Sequence, residues 1–356
     1  MFSIPCDQLE SLLCNSKPLS MMSSASSSDR SKWTWNDAHD TPRDLIGYGQ
    51  HPPHPHWLNN AKIAVSFVIN YEEGGESSVL NGDSQSETYL AEAAGGEAKD
   101  QARSTNVESE YEYGARAGIW RLLRMFEKAG AKGTVYAVGK ALELNPTVAP
   151  ACEQIGWEVG SHHWRWIDYH DMSPEDERKE IEKCIDVVME QTGQPPRGWY
   201  ASRLSPMSHV LISRVYEERN LPLLWISDNY GDDLPFWKPL PAGSQSSAGS
   251  KENAWLVLPY SLDCNDFKYM MPNNWSSPDD FYNYLVGAFD ELYAEGEEGS
   301  PKMMSIGLHA RISGRPGRIG AVRRFVEYVK ARNDVWVATR EEIAQHWMSV
   351  HPFRPA

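Results

Sequence analysis

The chain has 356 residues, 41% hydrophobic and 23% charged, with a formal net charge of −15. This is the balance of a globular protein, and so acidic a chain is a poor partner for nucleic acid or an anionic membrane. No stretch approaches the ~20 apolar residues of a membrane span, and the start, Met1–Glu10, has no basic residue and carries acids in its apolar run. Five cysteines (Cys6, Cys14, Cys152, Cys184 and Cys264) without paired close spacing read as reduced thiols. A cytoplasmic protein with neither secretory leader nor disulfide frame is expected, in which the triplet Asn274-Trp275-Ser276 is not a glycosylation site.

In chain order, the Ser-rich run 15–31 predicts a flexible arm over 1–40, ahead of one catalytic domain over 41–356. Ile63–Ile69 is a nearly continuous apolar run, the pattern of a strand buried on both faces. A soft loop at 93–104 follows. Ile119, Leu122, Leu123 and Phe126 then recur at helical spacing. Thr134–Val138 and Trp157–Val159 are strand candidates. Ser173-Pro174-Glu175-Asp176 starts a helix whose stripe is Ile181, Cys184, Ile185 and Val188. Leu223–Ile226 and Trp255–Leu258 read as strands on either side of a loop at Pro241–Ser250. Phe281, Tyr284, Leu285, Ala288, Phe289 and Leu292 mark a third helix face, and Met303–Leu308 and Val335–Ala338 complete the strands. About seven strands alternating with helices predict an α/β fold with a mostly parallel sheet closing towards a barrel. The 14 Trp and 16 Tyr fill cores and subunit contacts, so a homo-oligomer is expected; they also suit a cleft for a flat ligand.

Polar clusters fall just past the carboxyl ends of five of these strands: Asn70-Tyr-Glu-Glu-Gly74, Ser161-His162-His163, Ser227-Asp228-Asn229, Asp263–Asp266 and His309-Ala310-Arg311. In parallel α/β folds those ends share one mouth, where catalysis is built. Burial and a like-charged neighbour are expected to raise the pKa of Glu72 towards that of a general base. His309 suits proton transfer in a cleft. Arg203 and Arg311 bind substrate or pair with the carboxylates, and Asp232-Asp233 reads as a turn or helix cap.

These clusters resemble the polysaccharide deacetylase superfamily with the NodB-like fold, and within it the allantoinase branch of PuuE-like proteins and their fungal relatives. The resemblance spans Arg43 to Phe353. It rests on Arg43–Gly49, Asn70–Glu76, Glu108–Gly114, Ser161-His162 with Arg165–Tyr169, Asp232–Pro235, and Gly307–His309 with Gly314–Arg318. It implies a distorted, incomplete (β/α) barrel of about seven parallel strands. In the deacetylases the first motif gives an Asp base and an Asp metal ligand, and the second gives two His ligands four residues apart. Here Glu72 takes the base position, Glu73 and His162 take ligand positions, and Trp166 stands where the second His would be. Zinc needs about three protein ligands; neighbouring side chains diverge, so His163 is a poor substitute, and His170 is far along the chain. No metal is therefore expected, with zinc on Glu73 and His162 as the alternative.

The resemblance then implies Glu72 as the base for water and His309 as the acid for the leaving nitrogen. The oxyanion falls to His162 or to a backbone N–H in Trp199-Tyr200-Ala201. Glu73 fixes His162 or bonds a substrate N–H, Trp166 and Tyr200 cover a planar ring, and Arg203, Asp228 and Arg311 complete the substrate contacts. His163, Tyr200-Ala-Ser-Arg203 and Ala310 depart from the allantoinase-like pattern of Gly, Thr-Gly-Arg and Cys. The expected activity is C–N hydrolysis in a small cyclic ureide or imide. A carbohydrate N-deacetylase is the alternative, and a non-catalytic scaffold is the third reading.

Overall fold

The computed structural model describes residues 33–92, 97–242, 254–272 and 274–354. The Ser-rich stretch, Cys6, Cys14 and parts of two of the expected loops (93–96 and 243–250) lie outside these. Asp37–Ala356 forms one compact unit. Its strands are β1 (Ile63–Tyr71), β2 (Thr134–Ala137), β3 (Glu158–Ser161), β4 (Gly198–Trp199), β5 (Trp225–Ile226), β6 (Phe236–Pro239), β7 (Ala254–Val257), β8 (Lys302–His309) and β9 (Val335–Val337). Its helices are α1 (Thr105–Tyr113), α2 (Ile119–Ala129), α3 (Gly139–Leu144), α4 (Val148–Gln154), α5 (Pro174–Thr192), α6 (Ser208–Glu218), α7 (Pro278–Glu297), α8 (Ile319–Lys330) and α9 (Arg340–Val350).

The sheet runs β6-β7-β5-β4-β3-β2-β1-β8, and β9 also pairs with β1. Every pairing is parallel except β6 on β7. This is a curled, mostly parallel half-barrel. β1 lies inside the sheet: β8 pairs along Ile63–Asn70, while β9 takes Ile63–Val65 and β2 takes Val68–Tyr71.

Among the described residues nine strands replace the expected seven. β4 is a two-residue strand too short to show a pattern, and β6 is an edge strand ending in Pro239, where a missing N–H costs nothing. β3 also runs later than expected, because Ser161 pairs within the sheet. The helix stripes of α2 and α5 are buried, and the Ser173 side chain caps α5 on the Asp176 N–H. On α7, Tyr284 is 42% exposed and departs from the apolar face; its hydroxyl donates to Asp263 instead.

Strand alternation sorts the side chains into two layers. In β1, Ile63, Val65, Phe67, Ile69 and Tyr71 pack in the main core with Leu122 and Phe126 of α2, Phe289 of α7 and Phe325 of α8. Ala64 and Val68 face the barrel interior with Tyr136, Trp225, Tyr260 and Trp347. The register aligns the strand ends: Asn70 with His309, Tyr71 with Ala137, Ala137 with Ser161, Ser161 with Trp199 and Trp199 with Ile226.

Between α1 and α2 the chain makes a π-helical turn, Gly114–Gly118. A Cβ on Gly118 would lie 2.0 Å from the Ala310 carbonyl oxygen, so helix and post-β8 loop meet backbone to backbone. Because neither backbone can move aside, Gly118→Ala is expected to lose about 3 kcal/mol of stability, read as a lower urea midpoint with an unchanged slope. A midpoint equal to wild type would contradict this contact.

Candidate active site

Counting on from the strand ends explains which polar groups meet. Glu72 continues the interior-facing parity of β1, His162 that of β3 and His309 that of β8. Glu72 Oε1 lies 3.3 Å from His162 Nε2 and 3.5 Å from His309 Nε2, with all three side chains buried. Neither contact is aligned as a hydrogen bond, so Oε1 is uncommitted among the described residues. Glu72 Oε2 is held by Arg311 Nη1 at 2.6 Å.

Glu73 has the opposite parity. Its carboxylate presses on the backbone of Gly114, where a Cβ would come within 2.2 Å of Oε1. Its Oε2 accepts the Glu72 backbone N–H at 2.9 Å, and its Oε1 is 3.9 Å from Arg311 Nη1. Glu73 therefore braces the strand end and Arg311, not His162. It does not join His162 as the alternative metal pair, since the two face different layers. Among the described residues no group of three His, Cys, Asp or Glu side chains could hold a metal ion. The expected ligand position is Trp166, and a guanidinium already pairs with Glu72, so the donor set does not fit a divalent cation. His163 and His170 do not restore it. His163, at φ 64°, turns away to Glu177 (3.4 Å) and stacks on Tyr169 at 4.0 Å, while His170 is exposed. The left-handed backbone at His163 explains why glycine suits this position in the related pattern.

The charges contradict one expectation. Burial works to raise the Glu72 pKa, but Arg311, His309 and the contact with His162 outweigh it and hold the carboxyl well below its usual value. The raised carboxyl is Glu73, brought to about 7 by burial, against the pull of Arg311 and with the push of Glu72. For His309, burial opposes the charged form, yet Glu72 and Asp266 raise its pKa to about 9. The resting site at neutral pH therefore holds an ionised Glu72 beside an imidazolium at His309.

Within the cluster Asp263–Asp266, the residue that reaches the site is Asp266. It lies in a short 3₁₀ turn, Asp266–Met270, carried to β8 by a bridge between Asn265 and Gly307. Its Oδ1 accepts from His309 Nδ1 at 2.7 Å, and its Oδ2 accepts the N–H groups of His309 and Ser313. Nothing in the local spacing separates it from Asp263, which instead accepts from Ser261 and Tyr284.

Several of the expected substrate-contact residues already have partners within the protein. Asp228 accepts the N–H groups of Ala201 and Ser202 and approaches His209, so it shapes the loop after β4. That loop offers no oxyanion donor at Tyr200 or Ala201: the Tyr200 N–H goes to the Ser161 carbonyl and that of Ala201 to Asp228. Tyr200 bonds the Tyr230 hydroxyl and packs beside His162, Tyr136 and Tyr260. Trp166 is 5% exposed, stacked on Tyr89, with the Arg203 guanidinium 4.1 Å and the Arg311 guanidinium 5.2 Å from its ring centre. Arg203 also pairs with Glu87 at 3.5 Å. The aromatic rings beside these residues that are exposed are Tyr89 and Tyr230. Asp232 Oδ1 accepts the Leu234 N–H, the turn its sequence predicts.

The polysaccharide deacetylase family pattern matches residues 99–211. A Schizosaccharomyces pombe protein provisionally named a polysaccharide deacetylase is 44% identical over 88% of this chain and 98% of its own. A crystal structure of a probable polysaccharide deacetylase from Pseudomonas aeruginosa is 46% identical, covers 88% of this chain and 100% of its own, and has a TM-score of 0.81. The crystal structure of PuuE allantoinase is 45% identical with the same coverage and TM-score. No helix among the described residues is long and apolar enough to cross a membrane.

The ionisation of the site is measurable without a substrate. Asp266→Asn removes an anion from His309, so the imidazole should titrate well below about 9, towards neutrality, in NMR of the ring carbons. A His309 titration unmoved by the substitution would contradict the assigned pairing.

Proposed function

The chain belongs to the polysaccharide deacetylase family, hydrolases of carbon–nitrogen bonds, and from that premise we propose that it opens a small cyclic ureide or imide without a metal. The observation that carries this reading is the buried Glu72–Arg311–His309 cluster, with Trp166 at the sequence position of a deacetylase metal ligand. The likeness to PuuE allantoinase across 88% of the chain supports the ring substrate.

In this account water attacks the ring carbonyl carbon while Glu72 Oε1 takes its proton. The tetrahedral intermediate collapses with cleavage of the C–N bond, and His309 Nε2 gives its proton to the departing nitrogen. The ring opens to a chain bearing a new carboxylic acid. Glu72 is then protonated and His309 neutral, and their 3.5 Å separation lets the proton return directly. Asp266 positions His309 throughout.

The names of the relatives favour a second reading, carbohydrate N-deacetylation. One assay separates the two: chelator-treated enzyme with allantoin, hydantoin and succinimide, and separately with chitooligosaccharides. Ring opening that persists after chelation is expected, and acetate release that returns only with added metal would replace this reading with the second. Glu72→Gln should lower kcat by about 10³-fold. Because His309 must be protonated, activity should hold from mildly acidic pH and fall above about 9.

A further inference from the structure

A base as weakly basic as ionised Glu72 needs a strongly polarised carbonyl, and among the described residues the expected sources of polarisation are already committed elsewhere. The residues do not fit a divalent metal, the Tyr200 and Ala201 N–H groups are spent, and His162 turns Nε2 to Glu72. Arg311 remains. Its side chain is 2% exposed. Nη1 pairs with Glu72 at 2.6 Å, but Nε and Nη2 are buried with no hydrogen-bond partner among the described residues. Unpaired buried donors cost about 1–3 kcal/mol, more when charged, so each calls for an explanation, and a catalytic role is one. The rings of Tyr111 and Trp166, at 4.3 and 5.2 Å, hold the guanidinium without using its N–H groups.

We propose that Arg311 is the electrophilic catalyst of this site: its Nε–H and Nη2–H bind the oxygen of the scissile carbonyl and carry the negative charge that develops there. This rests on the hydrolytic reading above, but not on the ring substrate. As water adds, the C=O π electrons move to oxygen, and the two N–H bonds shorten onto the oxyanion. They lengthen again as the C=O re-forms and the C–N bond breaks. No co-reactant beyond water is needed. The guanidinium fork fits two lone pairs of one oxygen or its neighbours, where a lysine ammonium is a point charge. Trp166 then has a purpose at its position: it supplies a flat, apolar face for the cation in place of a metal-ligating imidazole.

The test uses the full chain with Arg311→Lys and Arg311→Ala, on allantoin, hydantoin and succinimide. Arg311→Lys keeps a charge beside Glu72 and loses the fork. It should lower the plateau kcat by about 100-fold with KM little changed, at a melting temperature close to wild type. Arg311→Ala should regain activity when guanidinium ion is added at millimolar concentration. A Lys variant whose plateau kcat stays within threefold of wild type, with only the acid side of its pH profile displaced, would overturn the proposal and leave Arg311 as a partner of Glu72. Guanidinium that rescues nothing, in an Ala variant that is folded, would also overturn it; if that variant does not fold, the Lys variant decides. If wild type ignores the rings but releases acetate from chitooligosaccharides, the ring reading falls and the same Arg311 comparison is made on that amide. A wild-type chain that cleaves neither overturns both.

Discussion

A carboxylate and a guanidinium 2.6 Å apart, both with buried side chains, must answer to each other before they answer to solvent. Arg311 keeps Glu72 ionised against the cost of its burial, and an ionised Glu72 in turn keeps His309 protonated. Asp266 adds to the second effect from behind the imidazole. Each charge is thus set by the next, and removing one leaves another buried without compensation. The arrangement separates a proton acceptor from a proton donor by 3.5 Å, the requirement of an acid–base hydrolase.

The half-barrel makes this possible through strand parity. Successive residues of β1 face opposite layers, so Glu72 enters the mouth while Glu73 meets the helix backbone at Gly114. A one-residue slip of β1 would exchange them. The continuous pairing of β1 with β8, from Ile63–Lys302 to Asn70–His309, fixes that register. At Gly307 the missing side chain leaves room for Asn265 and Tyr260, and so brings Asp266 to His309.

Much of this was legible in the sequence. β1 and β8 announce themselves as apolar runs because both of their faces are buried, and the acidic and histidine clusters after strand ends point to one mouth. What was not legible depends on distant partners. Arg311 is 239 positions from Glu72 and reverses the sign of its expected pKa shift. Asp228 looks like a ligand contact but spends its oxygens on two backbone N–H groups, and the loop it organises loses its expected oxyanion donors. Asp266 reaches His309 only through a bridge between segments 42 positions apart, which no local spacing reveals. Trp166 and Tyr200 look in the sequence like rings awaiting a ligand; neighbouring aromatic and cationic groups already pack on them.

The division of charge between the two adjacent glutamates is read directly by carbon NMR of the protein labelled at the glutamate side-chain carboxyl carbons, with Glu72→Gln and Glu73→Gln giving the assignments. The Glu72 carboxyl should hold the shift of an ionised group across pH 5 to 8, while that of Glu73 titrates near about 7. A Glu72 signal that titrates near neutrality while Glu73 stays ionised would contradict the account.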